Sequence, residues 1–529
     1  MTPGRVRGIV ALCAVLAIAA GWIWRTTPRP RVVVVKYDFT PDADALLQPL
    51  ITAFNRSDVR DGGSRIRVEP EAVASGKALS HLDELRPSAW TPASSLWGLL
   101  GGEGRGRSLV QSPQVVAVWK EEADRLGLAS SESFARILDL VQAGELRFGH
   151  TDPNVSTSGL SAVISEYYAL TGKTGPSLTS RDVREAREAI PRVEGAIVHY
   201  ADIAGTFAQQ WCRYGSLYAS AAYMQETTLL QFNKDCQDQL EAIYPSDFSF
   251  VADYPYIVLT DGWVSPEQRE AAETFGSWLS GALARNPGRV LSNGFRRGAS
   301  VTPGTGHGAH PDLPAGPPPL LPRPEVLAAM QRSWSELRRA VHIVLVLDGS
   351  DLAGGVGELA SEKEAVRSFL SCPLWDRHPS GDKVGMIVTA AGRVHRRVLP
   401  GPFEPSRERI RLVTRRLEAQ GGAALYDAIE RAADDPALRD PSSINSVVVL
   451  ADGGDDSSST TPPELIGKLT NLFRTGRPVQ VIALVYGHRA SATSVVREIV
   501  AASRGRFFEG HPSDPSEAED VAAFVCSFL

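Results

Sequence analysis

Runs of aliphatic and β-branched residues recur along the chain, separated by stretches with helical periodicity. Residues 32–35 are a block of valines, and 66–68, 110–119 and 256–259 are further apolar runs. Continuous rather than alternating apolar runs are what a strand buried on both faces requires. Between them, 42–54, 134–141, 161–170 and 266–283 read as helices, and 146–150 and 219–223 as shorter strands. The pattern restarts after residue 340. Runs at 341–347, 384–389, 446–451 and 479–485 predict core strands, 393–398 an edge strand and 506–508 a short last strand. Helices are expected near 362–370, 408–417, 425–433, 463–473, 494–502 and 517–528. Such alternation predicts an α/β protein with parallel sheets.

The clearest break lies at 298–324. Gly304-Thr305-Gly306-His307-Gly308 and Pro317-Pro318-Pro319 cannot build a core, so this segment is expected to be extended or disordered, with His307 and His310 as solvated loop residues. The expected division is 1–31 as signal or membrane anchor, 32–298 as a first domain, 299–323 as a Pro/Gly-rich linker and 324–529 as a second domain, the last opening with a helix at Pro324. No internal repeat is visible.

The chain has 529 residues, 43% hydrophobic and 22% charged. That is long enough for more than one domain. The net charge of −6 leaves no basic footprint for nucleic acid. Arg5 and Arg7 precede an uncharged apolar stretch from Gly8 to Trp24, closed by Arg25. At about 17 residues this is at the short end for a membrane span. Trp22 and Trp24 suit an interfacial belt, whereas Ala17-Ile18-Ala19 offers a signal cleavage pattern. Both readings, a single-pass anchor and a cleaved signal, put the bulk of the chain outside the cytoplasm. Apart from Cys13, the cysteines are Cys212, Cys236, Cys372 and Cys526. Outside the cell they allow two disulfides, and Cys212–Cys236 with Cys372–Cys526 keeps each within one domain. The alternative is free buried thiols.

In the first domain, Val73-Ala74-Ser75-Gly76, Trp90-Thr91-Pro92-Ala93-Ser94-Ser95, His150-Thr151-Asp152-Pro153-Asn154 and Ser156-Thr157-Ser158-Gly159 stand at strand-to-helix turns. With Val198-His199-Tyr200-Ala201-Asp202 and Gln225-Glu226, these segments resemble a class II bacterial solute-binding protein. The resemblance implies two lobes with ligand held between them. Ser75, Gly76, Ser94, Ser95, Ser156, Thr157, Ser158 and Gly159 are the candidate cleft residues. Unpaired N–H groups at a helix start suit an anionic or polar solute. The same residue types also serve as plain helix caps, and the cleft has a second reading as a vestige used for protein contact. His199 reads as a structural histidine, and Glu226 as a group that caps or pairs at a helix start.

In the second domain, the strand at 341–347 ends in Asp348-Gly349-Ser350. Gly421-Gly422-Ala423-Ala424 opens a helix, and the strand at 446–451 ends in Asp452-Gly453. In this order the loops resemble those of a von Willebrand factor type A domain, a doubly wound, Rossmann-like fold that binds partners. The whole chain is similar to bacterial, often actinobacterial, exported proteins that join these two modules. The family's metal site takes an Asp and two hydroxyls from the first loop, a Thr from the second and an Asp from the third. Here Asp348, Ser350 and Asp452 are present, but Leu352 and Ala423 stand at the other two positions. Mg²⁺ wants about six oxygens. The site is therefore expected to be degenerate, holding Mg²⁺ or Mn²⁺ weakly if it holds either. Asp351, Asp455 and Asp456 are expected to be solvated loop charges, and Asp427 a structural hydrogen-bonding group.

Motifs for catalysis fail on inspection. Gly172-Lys173-Thr174 lacks the leading Gly of a phosphate loop, since Tyr167 stands there. HExxH, paired zinc-spaced cysteines and G-x-S-x-G are missing. The expectation is a membrane-tethered extracytoplasmic binding or adhesion-type protein, not an enzyme, with a protein partner. The alternative is a solute-binding receptor whose C-terminal domain is a docking module.

Overall fold

The computed structural model describes residues 31–236, 238–298, 302, 306–314, 319–350, 356–371, 381–486 and 490–509. The expected N-terminal anchor, Asp351, Leu352, Cys372, Cys526 and the helix near 517–528 lie outside the described residues. Among the described residues no helix is long and apolar enough to cross a membrane.

The chain is mixed α/β, with three six- or seven-stranded sheets. In the first, the strand Val32–Phe39 pairs in parallel with Ser64–Ala72 and with Ala89–Thr91. Pro255–Val258 returns to pair antiparallel with Ala89–Thr91. Helices Asp44–Arg56 and Pro266–Arg285 cover this sheet, and Tyr37, Phe54 and Phe275 meet edge-on between them. The second sheet is built on Ser112–Trp119, buried at every position and flanked antiparallel by Ala221–Gln225 and Leu240–Pro245. Phe148–Thr151 and Ile197–Ala201 extend it in parallel. The two sheets are thus separate lobes. A disulfide joins Cys212 to Cys236 in the second, with Cα atoms 5.6 Å apart.

The third sheet runs Arg393–Pro402, Lys383–Ala390, Val341–Asp348, Ile444–Ala451, Val479–Val485 and Arg506–Glu509. All pairings are parallel except that of the edge strand Arg393–Pro402. Val341–Asp348 and Ile444–Ala451 are buried along their whole length, as their unbroken apolar runs require.

Two expectations about the middle of the chain are corrected. Residues 306–314 are not an extended or disordered tether but a strap laid on the second lobe. Ala242 N donates to Gly308 O at 2.9 Å, and Asn233 Nδ2 to His307 O at 2.7 Å. His310 is not a solvated loop residue, because its Nε2 lies 2.8 Å from Glu241 Oε1. Gly and Pro give this segment no core of its own, but its carbonyls find donors on the lobe. The helix Pro324–Leu337, expected to open the second domain, lies against helices Ser95–Gly101, Thr157–Thr171 and Ser180–Glu185 of the first. Its apolar face carries buried Leu327, Met330 and Trp334. Through it one apolar cluster runs from the second lobe to the third sheet. This linking helix therefore fastens the two halves together.

Candidate functional site

All eight candidate cleft residues are buried, and Gly76 and Thr157 lie at contacts between the lobes. The lobes meet there directly. Gly76 N donates to Val155 O at 2.9 Å, across the lobe boundary. A Cβ at Gly76 would stand 1.9 Å from Asn154 O, so only glycine permits this approach. Trp97, from the helix Ser95–Gly101, donates its indole N–H to Thr157 Oγ1 at 2.7 Å. Thr157 is the first residue of the helix Thr157–Thr171. A first-lobe indole thus lies at the helix start where a solute was expected. Gln225 Nε2 reaches Asp42 Oδ2 at 3.1 Å, and the Tyr254 hydroxyl donates to Gln225 Oε1.

Individual roles separate here. Ser94 caps its helix by accepting from Leu96 N at 3.3 Å. Ser95 N donates to Asp253 Oδ1 at 2.7 Å, and Ser75 Oγ accepts from Ala93 N at 3.0 Å. Ser156 occupies an N-cap position without a side-chain cap bond. Ser158 Oγ is buried without a hydrogen-bond partner. Gly159 lets its helix lie on the strand before it, since a Cβ there would meet Thr151 O at 2.0 Å. Glu226 pairs, as its position at a helix start suggested, with Arg296 and the Tyr244 hydroxyl.

At the third sheet, Asp348 ends one central strand and Asp452 follows its parallel neighbour. Asp348 Oδ1 accepts from Ser350 N at 3.0 Å, while Oδ2 is buried without a partner among the described residues. Burial first, and then the charge of Asp452, push the Asp348 carboxyl up to about 7. Asp452 Oδ1 accepts from Gly454 N at 2.6 Å. Ala423 is fully buried, and its methyl brings no oxygen to this rim. Asp455 and Asp456 are corrected from solvated charges to helix-end acceptors. Asp456 accepts from Ala423 N at 2.9 Å, and Asp455 from Tyr426 N at 3.1 Å, at the start of Leu425–Ala433. Asp427 accepts from Ser459 N and Thr460 N, the structural role expected of it. Sequence reasoning missed Thr389, at the tip of the next strand, whose hydroxyl accepts from Ala424 N at 2.7 Å.

A cavity of about 420 Å³ lies between the second lobe and the third sheet. Arg147, His199, Tyr218, Arg339, Phe473 and Arg504 line it. His199 stacks on Tyr218 with ring centroids 4.0 Å apart. Burial, then the charges of Arg147 and Arg339, lower His199 to about 3, so it is neutral. Arg339 donates to the carbonyls of Ile197 and Ser443, both at 2.9 Å, and Arg504 lies over the Phe473 ring at 3.4 Å. Among the described residues no carboxylate pairs with Arg339 or Arg504.

No family model matches the chain, and no curated protein does. Partial likenesses to solved structures exist. A von Willebrand factor type A protein from Catenulispora acidiphila is 18% identical, with a TM-score of 0.29, covering 36% of this chain and 42% of that one. Iron-bound HitA from Pseudomonas aeruginosa is 17% identical, with a TM-score of 0.38, over 57% of this chain and 97% of that one. A periplasmic thiamin binding protein is 12% identical, with a TM-score of 0.41, over 58% and 96%. The structural neighbours thus include both von Willebrand factor A domains and periplasmic binding proteins.

The arginine-lined cavity was not anticipated, because its three arginines come from three distant segments. The only visible signal was His199, inside the quoted motif Val198-His199-Tyr200.

Proposed function

We propose that this protein is an extracytoplasmic binding protein, tethered by its N-terminal segment, that contacts a protein partner through the strand-tip rim around Asp348 and Asp452. Binding rather than catalysis is its activity. The observation carrying this reading is the closed cleft: Trp97 and Gly76 join the lobes where a solute would sit. Ser457, beside the rim, is exposed. Contact there does not depend on a metal ion. Only Asp348, Ser350 and Asp452 offer side-chain oxygens of the family's set, which falls short of the about six a small divalent ion takes. A photo-crosslinking residue at Ser457 of the full chain, on intact cells of the producing organism, is expected to give one discrete adduct that persists in EDTA. The same residue at exposed Arg60, on the first lobe, should give none. Adducts that need Mg²⁺, or that arise equally at both positions, would reject the reading.

A second reading, solute reception, finds its support in the arginine-lined cavity rather than in the cleft. Its volume suits a small ligand. Burial and the neighbouring Arg504 charge lower the Arg147 guanidinium, and a bound anion would relieve that repulsion. Pyrophosphate in large excess over its dissociation constant is then expected to raise the melting midpoint by a few degrees. Arg504→Glu should abolish the rise. An equal rise in wild type and variant would remove the cavity from consideration.

A further inference from the structure

The helix Thr157–Thr171 is buried along most of its length, yet it carries Glu166 at its centre with no solvent exposure. Glu194, from the helix Ile190–Glu194, and His150, from the strand Phe148–Thr151, meet it there, also fully buried. His150 Nε2 lies 3.5 Å from Glu194 Oε1 and 3.8 Å from Glu166 Oε1. A ligand atom from each of the three lies within 4.8 Å of the others.

The surrounding hydrogen bonds set the chemistry of these atoms. His150 Nδ1 stands 2.8 Å from Thr151 O. A carbonyl only accepts, so Nδ1 carries a proton, and Nε2 faces the carboxylates as a lone pair in the neutral ring or as a second N–H in the imidazolium. Glu194 Oε2 accepts from the Tyr200 hydroxyl. With the ring neutral, four acceptors face one another with no donor among the described residues: His150 Nε2, both oxygens of Glu166 and Glu194 Oε1. Two carboxylates cannot stay charged in such a place without a compensating cation or proton.

We propose that His150, Glu166 and Glu194 bind one divalent transition-metal ion, Zn²⁺ being the best match. His150 Nε2 and one oxygen each of Glu166 and Glu194 supply three of the four ligands zinc takes, with the second Glu166 oxygen or a water completing the set. Ligands from different residues at about 2.0–2.2 Å from zinc stand roughly 3–4 Å from each other, as His150 Nε2 does from both glutamates. Two carboxylates and a neutral imidazole balance the charge of the ion. A nitrogen donor and the full burial of all three side chains disfavour Mg²⁺, which keeps several waters. The bond from His150 Nδ1 to Thr151 O and the bond from the Tyr200 hydroxyl to Glu194 are the outer contacts that hold metal ligands in place. With every ligand buried, the ion is structural. Trp334 of the linking helix packs edge-on against Tyr200 at 5.5 Å and lies 6.2 Å from His150. The ion therefore stiffens the surface on which the linking helix docks.

The competing occupants are protons: one shared between Glu166 and Glu194, since burial and the Glu194 charge push Glu166 well above the ordinary carboxylate range, and one on His150 Nε2, which burial opposes but the Glu194 charge favours. The full chain, unfolded and refolded either with Zn²⁺ or with a chelator and then desalted, separates metal from protons by elemental analysis and thermal unfolding. The expected result is about one zinc per chain. The melting midpoint should be on the order of 5 °C or more above the chelator-refolded protein. Glu166→Gln should lose both the zinc and the difference. A shared proton predicts the opposite: no metal in wild type, and a Glu166→Gln variant as stable as wild type because the amide replaces a protonated carboxyl. That result overturns the site, as does zinc retained undiminished in Glu166→Gln.

Discussion

Arg296→Ala is expected to destabilise the N-terminal unit by about 3–5 kcal/mol, the range for breaking a buried ion pair from one side. Arg296 Nε donates to Glu226 Oε1 at 2.8 Å and Nη2 to Glu226 Oε2, with Glu226 fully buried. Without the guanidinium, Glu226 keeps only the Tyr244 hydroxyl and becomes an uncompensated interior charge. The strap suffers as well. Arg296 also donates to the carbonyls of His310 at 2.9 Å, Pro311 at 3.2 Å and Leu313 at 2.6 Å. Urea unfolding should register the loss, and limited proteolysis should open new cuts within 306–314. Adding Glu226→Gln to Arg296→Ala should recover part of the stability, because it removes the stranded charge. If the double variant is no better than the single, the ion pair is not what holds this region.

That result would bear on how much of the molecule can be read from its residues. The strands of the third sheet were legible because parallel strands buried on both faces leave unbroken apolar runs, as at Val341–Asp348 and Ile444–Ala451. The positions of Asp348 and Asp452 followed, since adjacent parallel strands bring their carboxyl ends to one rim. The strap was misread for a definable reason. Gly and Pro say that a segment has no side chains for a core, but not whether its carbonyls will find an arginine elsewhere. Closure of the lobes was equally hidden. Trp97 and Thr157 are 60 residues apart, and neither residue type announces the other. Glu166 shows an intermediate case. A lone acid within Ser165-Glu166-Tyr167-Tyr168-Ala169-Leu170 is visible as an anomaly, but only the fold brings His150 and Glu194 to it.

Asp348→Asn is expected to stabilise the C-terminal unit above pH 7 and to change little near pH 4. Asp348 stands at about 7 in the folded chain against an ordinary value of 3.8. Between these values the folded protein keeps a proton that the unfolded chain has released. Stability therefore falls as pH rises from about 4 to about 7 and levels off beyond. The penalty at high pH is at most about 4 kcal/mol, taking 1.36 kcal/mol per unit. Asparagine carries no charge, so its advantage should grow over that window, followed as the difference in urea midpoint between variant and wild type. Burial is the main cause of the raised value, with the Asp452 charge second, so Asp452→Asn should recover only a minor part. Millimolar Mg²⁺ at pH 8 discriminates further. An ion seated between the two carboxylates would stabilise wild type and not Asp348→Asn. Because Ala423 brings no oxygen to the rim, little stabilisation is expected. A large Mg²⁺ effect would mean that waters complete the coordination shell, and that the rim meets its partner through a metal after all.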